Sequence, residues 1–155
     1  MTVAIGAPKD QALAAAIRDY DSRITRYFSF EAVKVRPQRI PRTGDRRAIA
    51  DTESSALLGR VPEGIEIVAL DRRGAQWSSE ELASYLKELA VLGKPGVAFL
   101  IGGPVGLSTI ALERADKVLA LSSLTLPHEL ARLVLAEQIY RSGTIQRGEP
   151  YHKAG

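Results

Sequence analysis

Cysteine is absent from this 155-residue chain, and histidine occurs only twice, as His128 and His152. The absence of cysteine excludes a disulfide framework, a thiol nucleophile, an iron–sulfur cluster and a thiolate zinc site. Two histidines are too few for most histidine-built zinc sites. We therefore expect a protein that holds no metal.

Long apolar runs are also absent. Runs such as 97–101 stop far short of the ~18–20 residues that a membrane-spanning helix requires. The first ten residues lack the basic segment followed by an apolar one that marks an export signal. We therefore expect a cytoplasmic protein with no membrane contact.

The size and composition are typical of one globular domain. The chain is 45% hydrophobic and 25% charged, which is ordinary for a folded domain. A chain of this length buries enough surface for a hydrophobic core to hold it without covalent cross-links. We therefore expect a single domain over residues 1–155.

The positive charge is concentrated in one segment. Residues 18–47 contain nine basic and four acidic side chains, a net charge of +5, although the whole chain carries only +3. Arginine predominates, and its planar fork suits phosphate groups. A polyanionic partner and a merely solvated basic loop both explain this segment. If the partner is polyanionic, arginines in a proline-rich stretch and at the start of the following helix would contact it. These are Arg36, Arg39, Arg42, Arg46 and Arg47.

Strand and helix patterns alternate along the chain. Apolar and β-branched runs predict strands at 2–5, 28–35, 65–70, 97–101 and 117–121. Helical periodicity predicts helices at 8–27, 45–59, 78–92, 108–115 and 127–142, with a capping box at the third and a loop at 71–77 before it. Repeated strand–helix–strand crossovers predict an α/β fold with a mainly parallel sheet.

The last predicted helix is apolar around its whole circumference. Such a helix is buried on all sides. A homodimer whose interface includes this helix explains the pattern, and so does a helix laid deep in one large core. The apolar positions are Leu130, Ala131, Leu133, Val134, Leu135, Ala136, Ile139 and Tyr140.

Three strand ends carry segments suited to a ligand. These segments are 70–71, 102–106 and 121–126, and ligands in open α/β sheets bind beyond the carboxyl ends of the strands. The glycine-rich segment is neither G-x-G-x-x-G nor a phosphate-binding P-loop, so a tight turn explains it as well as a ligand does. His128 fits either catalysis or hydrogen bonding near a helix start. Ser122 and Ser123 lack a nucleophile elbow.

Four ordered motifs make the prediction more specific: FLIGGPVGLS at 99–108, LSSLTLPH at 121–128, EQIYR at 137–141 and PYHK at 150–153. Together they resemble the RlmH family, SPOUT-class methyltransferases that methylate N3 of a pseudouridine in bacterial large-subunit ribosomal RNA. The resemblance implies helices on both faces of the sheet, a C-terminal trefoil knot and an obligate homodimer. It also implies S-adenosylmethionine as the cofactor and large-subunit RNA or the whole ribosome as the partner.

The resemblance further assigns roles to residues. The cofactor contacts would be Leu70, Gly102, Leu121, Ser122, Ser123, Leu124, Thr125 and Leu126. Tyr151 and His152 would position the base or accept its N3 proton, and Arg132 and Arg141 would hold RNA phosphate or tail carboxylate groups. Two alternatives are a non-catalytic RNA- or ribosome-binding protein that retains the fold and a nucleotide- or phosphate-binding domain.

Overall fold

A computed structural model describes residues 1–40 and 45–151 of the chain. Within these residues five strands alternate with five helices. The elements are β1 (Thr2–Ile5), α1 (Gln11–Ile24), β2 (Ala32–Val35), α2 (Arg46–Leu58), β3 (Glu66–Gln76), α3 (Ser79–Val91), β4 (Val97–Ile101), α4 (Thr109–Arg114), β5 (Lys117–Ala120) and α5 (His128–Gln146).

The five strands form one sheet in the order β2-β1-β4-β3-β5, and all neighbouring strands are parallel. Helices α1, α3 and α5 cover one face and helices α2 and α4 the other, each over its own apolar cluster. Successive side chains of a strand point to opposite faces, so Phe99 of β4 belongs to the first cluster and Leu100 to the second. The predicted parallel α/β sheet with helices on both faces is confirmed.

Side-chain caps fix the starts of the helices. Asp45 accepts the backbone N–H of Arg47, and Ser78 and Glu81 form the predicted capping box at α3. The predicted start of α1 at residue 8 is wrong, because Asp10 caps this helix by accepting the N–H of Leu13. Strand β2 is also shorter than predicted, since it begins at Ala32.

Strand β3 continues beyond the predicted end, so the expectation of a loop over 71–77 is wrong. Leu70 and Ala75 both pair with Leu119 of β5, which leaves residues 71–74 as an excursion from the ladder. A Cβ at Gly74 would lie 2.5 Å from the carbonyl oxygen of Val118. The close approach of the β5 backbone therefore requires glycine where the pairing resumes.

Helix α5 lies between α1 and α3 and extends to Gln146, four residues past the predicted end. Every residue from 128 to 145 is buried or half-buried within the single chain. Of the eight apolar positions, four are buried and four only half-buried, so one core accounts for part of the pattern and the homodimer stays a prediction; the half-buried ones are Leu130, Ala131, Leu133 and Val134. Within the described part of the chain no helix has the length and apolar content of a membrane span. The trefoil knot also stays a prediction.

Gly143 of α5 supports a direct test of this packing. A methyl group there would overlap Cγ of Tyr27 and lie 2.7 Å from its Cβ. Alanine gains ~1 kcal/mol in helix propensity, but overpacking a core costs typically about 1–3 kcal/mol. We expect Gly143→Ala to lower the free energy of unfolding by up to about 2 kcal/mol in urea denaturation.

Gly59→Ala is the matched control. Gly59 has a φ of −64°, and a Cβ there meets no atom closer than 3.4 Å. Alanine at such a position restricts the unfolded chain without strain in the fold, so stability should be unchanged or rise by about 0.4–1 kcal/mol. Equal stability of the two variants would contradict the packing of α5 against α1.

Candidate functional site

A cleft of about 740 Å³ opens beside the excursion of β3 and beyond the carboxyl ends of β4 and β5. Its walls come from three segments, residues 70–73, 101–107 and 121–128. Parallel strands bring these ends to the same edge of the sheet, because each strand runs in the same direction. The three segments singled out in the sequence therefore surround one cavity, whose volume lies within the range of small-molecule sites.

The glycine-rich segment presents backbone to the cleft. Gly106 has a φ of +80°, and its N–H donates to the carbonyl of Gly103 at 2.9 Å. A Cβ at Gly102 would lie 2.7 Å from the carbonyl carbon of Gly106 and 2.9 Å from the nitrogen of Leu107. The segment is a tight turn and a cleft wall at once, so the two interpretations of the sequence are compatible.

The segment between β5 and α5 forms the opposite wall. Ser122 Oγ accepts the N–H of Leu124 at 3.0 Å, which closes a local turn. The side chain of Leu124 is 72% exposed at the rim. Seven of the eight predicted cofactor residues line the cleft, and Ser123 is the exception: the lining members are Leu70, Gly102, Leu121, Ser122, Leu124, Thr125 and Leu126.

Charged side chains from the β3 excursion stand at the mouth of the cleft. Arg73 pairs with Asp71 through Nε at 2.8 Å and Nη2 at 3.2 Å, and these hydrogen bonds lower the pKa of the Asp71 carboxyl. Arg72 and Arg73 are both exposed, and Arg73 is the one paired with Asp71. The sequence prediction missed both arginines as lining residues, although two adjacent arginines just after a buried strand were a usable signal.

His128 lies in the first turn of α5 and also lines the cleft. Its nearest charged group is Glu129, whose Oε1 is 3.9 Å from Nε2, too far for a hydrogen bond. Across residues 1–40 and 45–151, no group of three or more histidine, aspartate and glutamate side chains is arranged to hold a metal ion.

Three predicted catalytic residues lie away from the cleft of their own chain. Arg132, Arg141 and Tyr151 are all absent from its walls. Arg132 is 5% exposed, and its Nε and Nη1 have no hydrogen-bond partner among the described residues. Burial lowers the pKa of Arg132, and the nearby carboxylate of Asp21 acts in the opposite direction. His152 lies outside the described residues.

Tyr151 and Arg141 both hydrogen-bond to Glu137. Arg141 donates from Nε at 2.9 Å and from Nη2 at 2.7 Å to Glu137 Oε1, which also accepts from the Tyr151 hydroxyl at 3.1 Å. The guanidinium of Arg141 lies 5.0 Å from the Tyr151 ring centre. Burial and hydrogen bonding to Tyr20 and Glu137 raise the pKa of Tyr151, so its hydroxyl stays protonated near neutral pH.

The predicted RNA-contacting arginines lie near the same edge of the sheet. Arg36 and Arg39 follow β2, while Arg46 and Arg47 begin α2, and all four are exposed. Because β2 is parallel to the other strands, its carboxyl end shares their edge. Arg42 lies outside the described residues.

The family described as "Predicted SPOUT methyltransferase" matches residues 1–152. Among curated relatives, the "Ribosomal RNA large subunit methyltransferase H" of Anaeromyxobacter sp. strain Fw109-5 is 46% identical over 97% of each chain. The protein of the same name from Listeria welshimeri is 40% identical, again over 97% of each chain.

Solved structures share the fold at lower identity. A probable methyltransferase from Bordetella pertussis Tohama I has a TM-score of 0.56 at 16% identity, over 91% of this chain and 94% of that one. TrmJ from Z. mobilis ZM4 has a TM-score of 0.53 at 15% identity, over 93% of this chain and 70% of that one. With the family match and the high coverage of the curated relatives, the chain belongs to the SPOUT methyltransferase family, in the group of ribosomal RNA large subunit methyltransferase H proteins.

Proposed function

We propose that this protein methylates N3 of a pseudouridine in bacterial large-subunit ribosomal RNA, using S-adenosylmethionine and acting on assembled ribosomes in the cytoplasm. The observation that carries the proposal is the cleft, where seven predicted cofactor residues converge beside the excursion of β3 and the carboxyl ends of β4 and β5. The names of the curated relatives support ribosomal RNA as the substrate class. We also propose that residues 1–155 form one domain and that its C-terminal part is knotted.

The chemistry of the lining suits S-adenosylmethionine. The glycine segment offers backbone groups for hydrogen bonds, and Leu70, Leu121 and Leu126 offer apolar surface for the flat adenine ring. When bound, this cofactor supplies a methyl group already activated by its sulfonium charge. The protein then has to align the acceptor nitrogen, exclude water and accept one proton.

The proton acceptor in this proposal is His152 rather than Tyr151. The raised pKa of Tyr151 keeps its hydroxyl protonated, whereas a neutral imidazole has a free ring nitrogen that can accept the N3 proton. Tyr151 and Arg141 then act together in positioning the tail, since Arg141 contacts both Glu137 and the Tyr151 ring.

The proposed homodimer supplies these residues to the cleft of the partner. Support comes from the position of Arg132, Arg141 and Tyr151, which do not line the cleft of their own chain. The two unpartnered nitrogens of Arg132 add to this support, because a buried donor left without an acceptor costs about 1–3 kcal/mol. An RNA phosphate or a carboxylate at the dimer interface would satisfy them.

Methyl transfer tests the proposal directly. Ribosomes that lack the modification should accept labelled methyl groups from S-adenosylmethionine, and the label should map to N3 of one pseudouridine. Gly102→Ala should weaken cofactor binding at least about tenfold, which corresponds to ~1.4 kcal/mol, because its methyl group collides with the backbone at Gly106 and Leu107. Gly59→Ala, at the end of α2, should bind and react as the unmodified chain does.

Label on free RNA but not on ribosomes would overturn the requirement for assembled particles. Cofactor binding without methyl transfer would refute the proposed acceptor. RNA binding without cofactor binding would instead favour a non-catalytic ribosome-binding protein.

Mixed dimers test whether the tail acts on the partner. At a cofactor concentration far below the Kd of Gly102→Ala, His152→Ala and Gly102→Ala are each expected to be nearly inactive alone. A dimer of the two variants has one intact cleft, and the tail that reaches it from the opposite subunit is also intact. After statistical subunit exchange about half of the dimers are of this mixed kind, so about a quarter of full activity should return. Arg141→Ala should behave as His152→Ala does. A monomer in sedimentation, or no recovery on mixing, would contradict the shared site.

The basic surface predicts salt dependence. Replacing Arg36, Arg39, Arg46 and Arg47 with alanine should weaken ribosome binding. It should also reduce the slope of log affinity against log salt by ~0.7–0.9 for each phosphate that the variant no longer neutralises. Arg60→Ala is the control, because Arg60 is exposed beyond the other end of α2. An unchanged slope in the fourfold variant would rule out this surface as the RNA-binding surface.

A further inference from the structure

Glu53 is a buried carboxylate in the middle of α2, with an exposed fraction of only 2%. Its Oε1 accepts the backbone N–H of Gln38 at 2.9 Å, in the segment that follows β2. Its Oε2 is buried and has no hydrogen-bond partner among the described residues. A Cβ placed on Gly103 would lie 2.9 Å from this Oε2 and 3.0 Å from Cγ2 of Ile5.

One side chain therefore contacts two segments that are far apart in sequence. On one side is the segment 36–40, which carries Arg36 and Arg39, and on the other is the glycine segment of the cleft. The next residue, Ser54, strengthens the second connection because its Oγ accepts the N–H of Ser108 at 2.8 Å in a buried position. Helix α2 thus supports both ends of the turn between β4 and α4.

The hydrogen bond to Gln38 accounts for only one of the two carboxyl oxygens of Glu53. A buried polar atom left without a hydrogen bond costs about 1–3 kcal/mol, and Oε2 has neither a hydrogen bond nor an ion pair within the described ranges. Oε2 of Glu53 lies beside Gly103 and has no partner among the described residues. It can therefore accept a backbone N–H when either segment shifts.

We propose that Glu53 is a positioning residue that couples the basic segment 36–40 to the glycine segment of the cleft. RNA docked on the arginines changes the position of segment 36–40, and the carboxylate passes this change to Gly103. Cofactor affinity and RNA affinity are then linked, and the linkage is reciprocal. This inference rests on the proposed function and adds to it a route by which substrate binding readies the cofactor site.

The decisive variant removes the donor rather than the carboxylate. Gln38→Pro deletes the backbone N–H that Glu53 accepts, and Gln38 lies in an exposed segment without regular structure. Gln38→Ala retains that N–H and is the matched control. Glu53→Ala removes the other partner, and Glu53→Gln restores an acceptor for the N–H.

The experiment measures the affinity for S-adenosylmethionine by calorimetry, with and without assembled ribosomes that lack the modification. In the chain without substitutions the ribosomes should tighten cofactor binding by at least about fivefold. Gln38→Pro and Glu53→Ala should reduce this gain to less than about twofold, while Gln38→Ala and Glu53→Gln keep most of it. If Glu53 had only a structural role, Gln38→Pro and Glu53→Ala would lower the melting temperature and weaken cofactor binding equally with and without the ribosomes. The gain that the ribosomes give would then stay the same.

The outcomes separate the two proposals. Cofactor binding that the ribosomes leave unchanged in the chain without substitutions overturns the coupling and leaves the proposed function standing. A full gain in Gln38→Pro overturns the role of Glu53. Failure of the unmodified chain to bind S-adenosylmethionine at all refutes the proposed function, and the coupling with it.

Discussion

The parallel pairing of β4 with strands on both sides is the constraint on which the rest of the structure depends. Thr2 and Val68 both pair with Phe99 of β4, so the three central strands are held in one register. Phe99 and Leu100 of β4 are essentially fully buried, one in each apolar cluster. Because this strand cannot slip without exposing both clusters, the glycine segment that follows it has a fixed place at the edge of the sheet.

Close backbone approach then shapes the cleft. Gly74 and Gly102 each occupy a position where a Cβ would lie within 3 Å of another backbone atom. Such close approaches leave no room for a side chain at these two positions. The cleft walls consist of main chain, apolar side chains and a few polar groups. A site of this kind suits a cofactor that carries its own reactive group, because the protein contributes binding and alignment more than acid–base chemistry.

The tail and the cleft are distinct parts of the molecule. Tyr151 packs against Tyr140, with ring centres 4.8 Å apart, and joins Arg141 and Glu137 on the α1 side of the core. The cleft lies beyond the strand ends, with residues 121–128 as one wall. This separation within one chain gives the proposed second subunit a chemical purpose.

Local patterns in the chain were enough to predict the element types, the capping box at Ser78 and the three segments that border the cleft, because periodicity, capping and strand ends are local properties. The individual cofactor contacts came from the family resemblance. The strand order, the return of β3 to the sheet at Ala75 and the burial of Glu53 beside Gly103 emerge only in the folded molecule. Each of these depends on contacts between segments far apart in the chain. Glu53 has no distinctive neighbours in sequence, and its importance arises because packing of α2 against the sheet brings Gln38 and Gly103 to one carboxylate.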